Sequence, residues 1–301
     1  MRLLIKQDIQ DVLFFDVETA AATNNFDENH PLYDAWSYDH LRNVEDSKEL
    51  IELYNKTAPL YAEYGRIVTI SIGAVRGGEL IVKSFSNEDE KTLLEEFNDS
   101  ISKFANNKTW LCGHNILDFD MPYIMRRCIA NGVQLHLLFD TAHLKPWETS
   151  VFDTALLWKG TAWKKQSLPS VIAALGLPSP KDDISGADVS RVFYEGGIDK
   201  IVSYCEKDVF ATVNLFRKLR YEKPLDSFRS ATSYEEPKEN ILNYLRGGGD
   251  YTESVKQKLQ NILSSLTPDD KKKAIEILNT IPSRAKGKVT KLTKKHIKEL
   301  C

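Results

Sequence analysis

The chain has 301 residues, 42% hydrophobic and 28% charged, with a net charge of -3, which excludes a fibrous or wholly disordered chain and fits one sizeable domain with an appendage or two modest domains. A mean hydropathy of -0.36, with no apolar run near ~18 residues, excludes a membrane-spanning helix. The opening MRLLIKQDIQD meets Gln7 and Asp8 too early for a secretory leader, and four scattered cysteines without a CxxC pair (Cys112, Cys128, Cys205, Cys301) exclude a zinc ribbon or a disulfide framework and predict a cytoplasmic protein.

In chain order, Val12-Leu13-Phe14-Phe15 running into Asp16-Val17-Glu18-Thr19 predicts a buried strand. Residues 20–65 are polar and aromatic and read as an insertion, with a helix over 47–54. The β-branched run 66–75, the turn Gly77-Gly78 and the run 79–85 predict a hairpin. Apolar residues Leu93, Leu94, Phe97, Ile101 and Phe104 recur at helical spacing, with Ser86 or Asn87 as the cap. A fourth strand follows over 109–112 and a helix over 121–131, stopped by Asn131-Gly132. A fifth strand at 151–152 and helices over 167–175 and 198–219 complete the pattern. Such an order predicts an α/β fold with one mixed sheet flanked by helices.

Residues 225–301 carry only helical patterns, broken by Gly247-Gly248-Gly249 and Pro282, and read as a C-terminal helical appendage. From Lys256 to Cys301 there are 12 basic residues against 4 acidic ones. A basic tail on an acidic body is either a solvated helical surface or a contact for a polyanion. Histidines His114, His136, His143 and His296 show no zinc spacing, and His114 reads as structural.

Three groups of acids stand out. Asp16 and Glu18, spaced i, i+2 at the end of an apolar strand, share a face of the sheet; they are either a solvated strand end or a cation site. Asp120 stands where a strand gives way to a helix, just before Pro122, and either it or Asp118 could be an N-cap. Tyr204 and Asp208 are i, i+4 on one helix face, as a core-rim hydrogen bond or as part of a site.

Together and in this order, Phe15-Asp16-x-Glu18-Thr19, Asn115-x(3)-Phe119-Asp120 and Tyr204-x(3)-Asp208 resemble the three motifs of the DEDDy 3′–5′ exonucleases. The linking text, including Tyr64-Gly65-Arg66-Ile67-Val68, Lys145-Pro146-Trp147-Glu148, Phe152-Asp153-Thr154 and Ser185-Gly186-Ala187-Asp188-Val189, resembles that family's stand-alone, polymerase-B-like exonucleases. The likeness spans roughly residues 10–220. Ser203 stands where the histidine branch of the superfamily would carry its histidine, which favours the tyrosine branch.

The resemblance implies a ribonuclease-H-like exonuclease domain over 1–224 and a basic helical extension over 225–301. It implies two divalent cations, Mg²⁺ or Mn²⁺, held by Asp16, Glu18, Asp120 and Asp208, with Asp118 as a competitor to Asp120. Tyr204 would orient the attacking water, Thr19 would approach the terminal 3′-hydroxyl, and Asn115 and Phe119 would position the strand end. The implied reaction is hydrolysis of single-stranded DNA from its 3′ end to nucleoside 5′-monophosphates. An exoribonuclease with the same site and an inactive nucleic-acid-binding module are the alternatives. Trp36, Tyr38, Trp147 and Trp163 are candidate stacking platforms, and separate replication or repair proteins are the expected partners.

Overall fold

Strand β1 (Val12–Ala21) opens with four fully buried apolar residues because the molecule covers it on both faces. Leu13, Phe15 and Val17 enter one core, and Val12 and Phe14 enter the other, as the two-residue alternation of a strand requires. The computed structural model describes residues 2–40, 46–141, 144–145, 148–178 and 184–232. Trp147, His143, His296 and the basic tail from Lys256 onward lie outside them.

β1 pairs antiparallel with β2 (Gly65–Arg76), which pairs antiparallel with β3 (Glu79–Phe85). The β2–β3 turn is Gly77-Gly78, at φ 58° and 88°, the positive-φ pair that tight hairpins favour. β4 (Trp110–Gly113) lies parallel to β1, and β5 (Val151–Asp153) parallel to β4. A sixth strand, β6 (Phe228–Ser230), runs parallel to β3 at the far edge. The order is β5-β4-β1-β2-β3-β6, with β2 alone opposed to the rest. This is the α/β architecture with one mixed sheet flanked by helices that the sequence led us to expect.

Outside the sheet the chain forms α1 (Arg2–Lys6), α2 (Tyr33–His40), α3 (Ser47–Thr57), α4 (Glu90–Phe104), α5 (Asp120–Asn131), α6 (Thr154–Lys159), α7 (Leu168–Ala174), α8 (Val189–Tyr194) and α9 (Ile198–Leu219). α4 and α5 cover the Phe15 face, where Phe15 meets Phe139 edge-on at 5.4 Å. α9 covers the Phe14 face, where Phe14 meets Phe216 edge-on at 5.2 Å. Burying an aromatic ring of this kind contributes about 1.5–3 kcal/mol. Among the described residues no helix is long and apolar enough to cross a membrane.

Several expectations need correction. The segment between β1 and β2 is no plain polar insertion: α2 and α3 close over their own aromatic cluster of Phe26, Trp36, Tyr54 and Tyr64. Phe26 stacks on Tyr54 with centroids 3.6 Å apart, and Trp36 Nε1 donates to the Leu50 carbonyl at 3.1 Å. Trp36 is therefore fully buried and provides no stacking platform. α4 is capped by Asp89, whose carboxylate accepts the Thr92 amide at 3.0 Å, rather than by Ser86 or Asn87.

The stretch after residue 224 is not purely helical, since β6 lies within it. Leu225 and Phe228 pack on the α9-side core, and Asn214 brackets Leu225 through that residue's amide and carbonyl. The compact unit runs to Thr232. A buried ion pair ties the other flank. Arg127 of α5 grips Glu90 of α4 at 2.9 and 2.6 Å, Glu90 also accepts the Ile67 amide, and Arg127 donates to the Ala62 carbonyl.

Candidate active site

Asp16 and Glu18 lie in the middle of β1, which continues to Ala21 rather than ending at them, and alternate onto the same α9-side face as Val12 and Phe14. The β1–β2 register shifts between Glu18 and Thr19, a bulge that re-aims the last side chains of the strand. From α9, Cys205 meets Asp16: its Sγ lies 3.5 Å from Oδ2 and 3.4 Å from the carbonyl. Oxygens of Asp16 and Glu18 and the Cys205 sulfur all lie within 4.8 Å of one another.

Asp120 opens α5 beside the same cluster, only 4% exposed, and its carboxylate accepts its own amide and that of Val17. Asp208 comes from α9, one turn beyond Tyr204, and the two side chains are hydrogen-bonded. By contrast Asp118 is exposed and pairs with Lys165 at 2.7 Å.

The electrostatics of the cluster follow from crowding. Burial, then the charges of Asp120, Glu18 and Asp208, push the Asp16 carboxyl well above the usual carboxylate range; the Cys205 thiol, donating to it, works the other way. Burial, Asp208 and Asp120 do the same to Glu18. Asp120 is pushed up to about 7, chiefly by burial. Burial, then Asp208, Glu18 and Asp16, raise the Tyr204 phenol, and the same burial with Asp16 and Glu18 raises the Cys205 thiol. Buried Glu18 and Asp120 and half-buried Asp16 and Asp208, with their charges crowded together, are a set of groups that a cation stabilises. With the thiol protonated, the donors on offer are oxygens, which suit a hard ion such as Mg²⁺ or Mn²⁺.

The rim of the site is built from the β4–α5 turn. Asn115 sits at φ 66°, a left-handed conformation that asparagine tolerates better than most residues. It is held there by Asp153, whose carboxylate accepts the amides of Asn115 at 2.9 Å and Leu117 at 3.2 Å and also caps α6. Lys165 Nζ donates to Asn115 Oδ1 at 2.8 Å, which leaves the amide nitrogen of Asn115 to face other partners. Thr19 donates its hydroxyl to the Pro59 carbonyl at 2.8 Å, and Phe119 tilts against Tyr123 with centroids 5.3 Å apart. His114 is anchored between Thr154 and the Gln166 carbonyl, in keeping with a structural role.

Sequence reasoning missed Cys205, Lys165 and the anchoring role of Asp153. For Asp153 a signal existed, an aspartate followed by threonine at a helix start. For Lys165 none did, because its partners lie 50 and 47 residues away along the chain.

Residues 60–262 match a protein family described as a predicted 3′–5′ exonuclease related to the exonuclease domain of PolB. The chain belongs to that exonuclease family. Asp120, Tyr204 and Asp208 fall inside the matched stretch, and Asp16 and Glu18 precede it. A protein of Frog virus 3 named "Putative DNA polymerase 060R" is 27% identical to this exonuclease-family chain over 157 residues, which cover 44% of the chain and 15% of the viral protein. The solved family B DNA polymerase of the hyperthermophilic archaeon Pyrobaculum calidifontis is 18% identical, over 69% of this chain and 24% of that one, at a TM-score of 0.43. The chain thus spans under a quarter of the length of both these relatives.

Proposed function

We propose that the protein is a metal-dependent 3′–5′ exonuclease that hydrolyses single-stranded DNA to nucleoside 5′-monophosphates. The observation that carries this reading is the approach of Asp16 and Glu18 oxygens within 4.8 Å of one another, with the charges of Asp120 and Asp208 near enough to raise both carboxyls. Asp16, Glu18, Asp120 and Asp208 hold two divalent cations, Mg²⁺ or Mn²⁺. Bound there, the ions offset the charge of the scissile phosphate and acidify the attacking water.

Tyr204 keeps its proton at neutral pH, since burial and three acids raise its phenol. It therefore does not act as the base; its hydroxyl donates to Asp208, and its oxygen accepts a hydrogen of the nucleophilic water and so orients it. The Thr19 oxygen, its proton committed to Pro59, accepts from the terminal 3′-hydroxyl. The Asn115 amide nitrogen donates to the strand end, and Phe119 flanks it. Trp163 at 90% and Tyr38 at 89% exposure are the stacking surfaces for unpaired bases, at roughly 1–3 kcal/mol per base. The cytoplasm is the expected compartment, and separate replication or repair proteins are the expected partners.

Purified protein with Mg²⁺ or Mn²⁺, given matched 5′-labelled DNA and RNA single strands, tests the reading. Shortening of DNA from its 3′ end, stopped by EDTA, is the expected result. Shortening of RNA alone makes the protein an exoribonuclease, and intact strands that nevertheless bind make it an inactive binding module.

A further inference from the structure

In the β1–β2 ladder Ser71 is the partner of Asp16, and Thr69 is the partner of Glu18. Directly opposed residues of antiparallel strands put their side chains on one face, so β2 sets a hydroxyl beside each β1 carboxylate. The two hydroxyls differ. Ser71 Oγ lies 2.7 Å from Ser84 Oγ, and Ser84 in turn donates to Glu206. Thr69 is fully buried, and its Oγ1 has no hydrogen-bond partner among the described residues.

A buried hydroxyl without a partner bears its whole desolvation cost, so such groups are rare in folded proteins. The alternating apolar residues of β2, Ile70 and Ile72, face the opposite core, so Thr69 stands on the site side of the sheet. An ionised carboxylate accepts at several lone-pair positions. Carboxylates that ligate a metal are in turn held by outer hydrogen bonds that fix their orientation.

We propose that the Thr69 hydroxyl is a positioning group of the cation site, donating to the Glu18 carboxylate when a divalent ion is bound. The inference rests on the reading that these acids hold divalent cations. It assigns the unpartnered hydroxyl a partner that the loaded site supplies. Thr69 touches neither substrate nor ion in this account and acts through Glu18.

The test compares the wild type with Thr69→Val and Thr69→Ser in two measurements without nucleic acid. One is Mn²⁺ affinity, read from the electron paramagnetic resonance of free Mn²⁺; the other is the melting temperature in EDTA. Thr69→Val is expected to melt no lower than the wild type, because an unpartnered polar group has gone, and to bind Mn²⁺ roughly tenfold more weakly or worse. Thr69→Ser is expected to restore binding to near the wild-type value, whatever its melting temperature. Unchanged Mn²⁺ affinity in Thr69→Val overturns the proposal, as does an equal loss in both variants, which assigns the effect to packing. Digestion of single-stranded DNA by the wild type, run in parallel, separates the two failures. A wild type that binds Mn²⁺ and cuts DNA, with Thr69→Val binding Mn²⁺ equally well, removes only the role of Thr69. A wild type that binds no Mn²⁺ removes that role and the cation site together.

Discussion

The side chains of Tyr204 and Asp208, one helical turn apart on α9, are hydrogen-bonded to each other, and burial, then the negative charge of Asp208, keeps the phenol protonated. A tyrosine so placed orients water and does not take its proton. Tyr204→Phe is therefore expected to lower kcat by roughly a hundredfold, with little change in KM or Mn²⁺ affinity. Steady-state kinetics and metal titration on the same preparation check this; a lost Mn²⁺ affinity would move Tyr204 from orientation to metal support.

The crowded carboxyl groups make stability depend on pH in a definite direction. Raised carboxyl pKa values mean that the metal-free folded state holds more protons than the unfolded chain, so stability falls as pH rises through that window. Asp120, at about 7 against an ordinary 3.8, places part of the window between pH 6.5 and 8. His114 and His136, held below the ordinary histidine value of 6.5, work in the opposite sense below and around that value, and Asp16, Glu18 and Asp120 together outweigh them. In EDTA the protein is expected to melt at a lower temperature at pH 8 than at pH 6.5. Mg²⁺ or Mn²⁺ is expected to raise the melting temperature more at pH 8, where fewer protons compete. Calorimetric scans at the two pH values, with and without Mn²⁺, decide it; a higher melting temperature in EDTA at pH 8 contradicts the crowding account.

Asp120→Asn removes one charge from the cluster while keeping shape and one acceptor oxygen. With a carboxyl pKa near 7 in the fold, neutralising it is expected to stabilise the metal-free protein at pH 8 by roughly 2–4 kcal/mol. The same change is expected to abolish hydrolysis. Urea unfolding in EDTA measures the first effect and strand digestion the second. A destabilised Asp120→Asn would show that the carboxylate matters more for its hydrogen bonds to the amides of Val17 and its own residue than for its charge.

Arg127 and Glu90 are the opposite case, a pair of charges that satisfy each other. Their bidentate contacts at 2.9 and 2.6 Å are largely buried. Arg127→Ala is expected to cost about 3–5 kcal/mol, because it leaves Glu90 buried without its partner. Double substitution with Glu90→Gln should recover much of that loss, as read from urea midpoints; no recovery would mean that Arg127 acts mainly through the Ala62 carbonyl.

What was legible in the chain was local. The apolar run before Asp16 announced β1, the Gly77-Gly78 turn announced its hairpin, and the helical period of α9 placed Tyr204 and Asp208 on one side. The acids stood out only through the order of the three motifs and the family resemblance those motifs carry; the spacing of each group alone left a solvated strand end or a helix cap open. What could not be read depends on register between distant strands. Nothing near Thr69 announces Glu18, and Cys205 meets Asp16 across 189 residues. β6 is too short for a period, and it exists because β3 offers an open edge. α2 hid among polar residues because its buried contact is mainly one indole, Trp36, in a cluster assembled from three separate stretches.

Glu206, on the same helix as Tyr204 and Asp208, accepts three hydroxyls, those of Ser84, Ser230 and Thr232. Two of those donors come from β6 and the residues just after it, beyond the last exonuclease motif. A fragment trimmed at Pro224 would strip this carboxylate of most of its solvation inside the fold and unzip the sheet's outer margin against the helix that carries Tyr204 and Asp208. A shortened form of this chain that keeps this carboxylate satisfied therefore reaches Thr232.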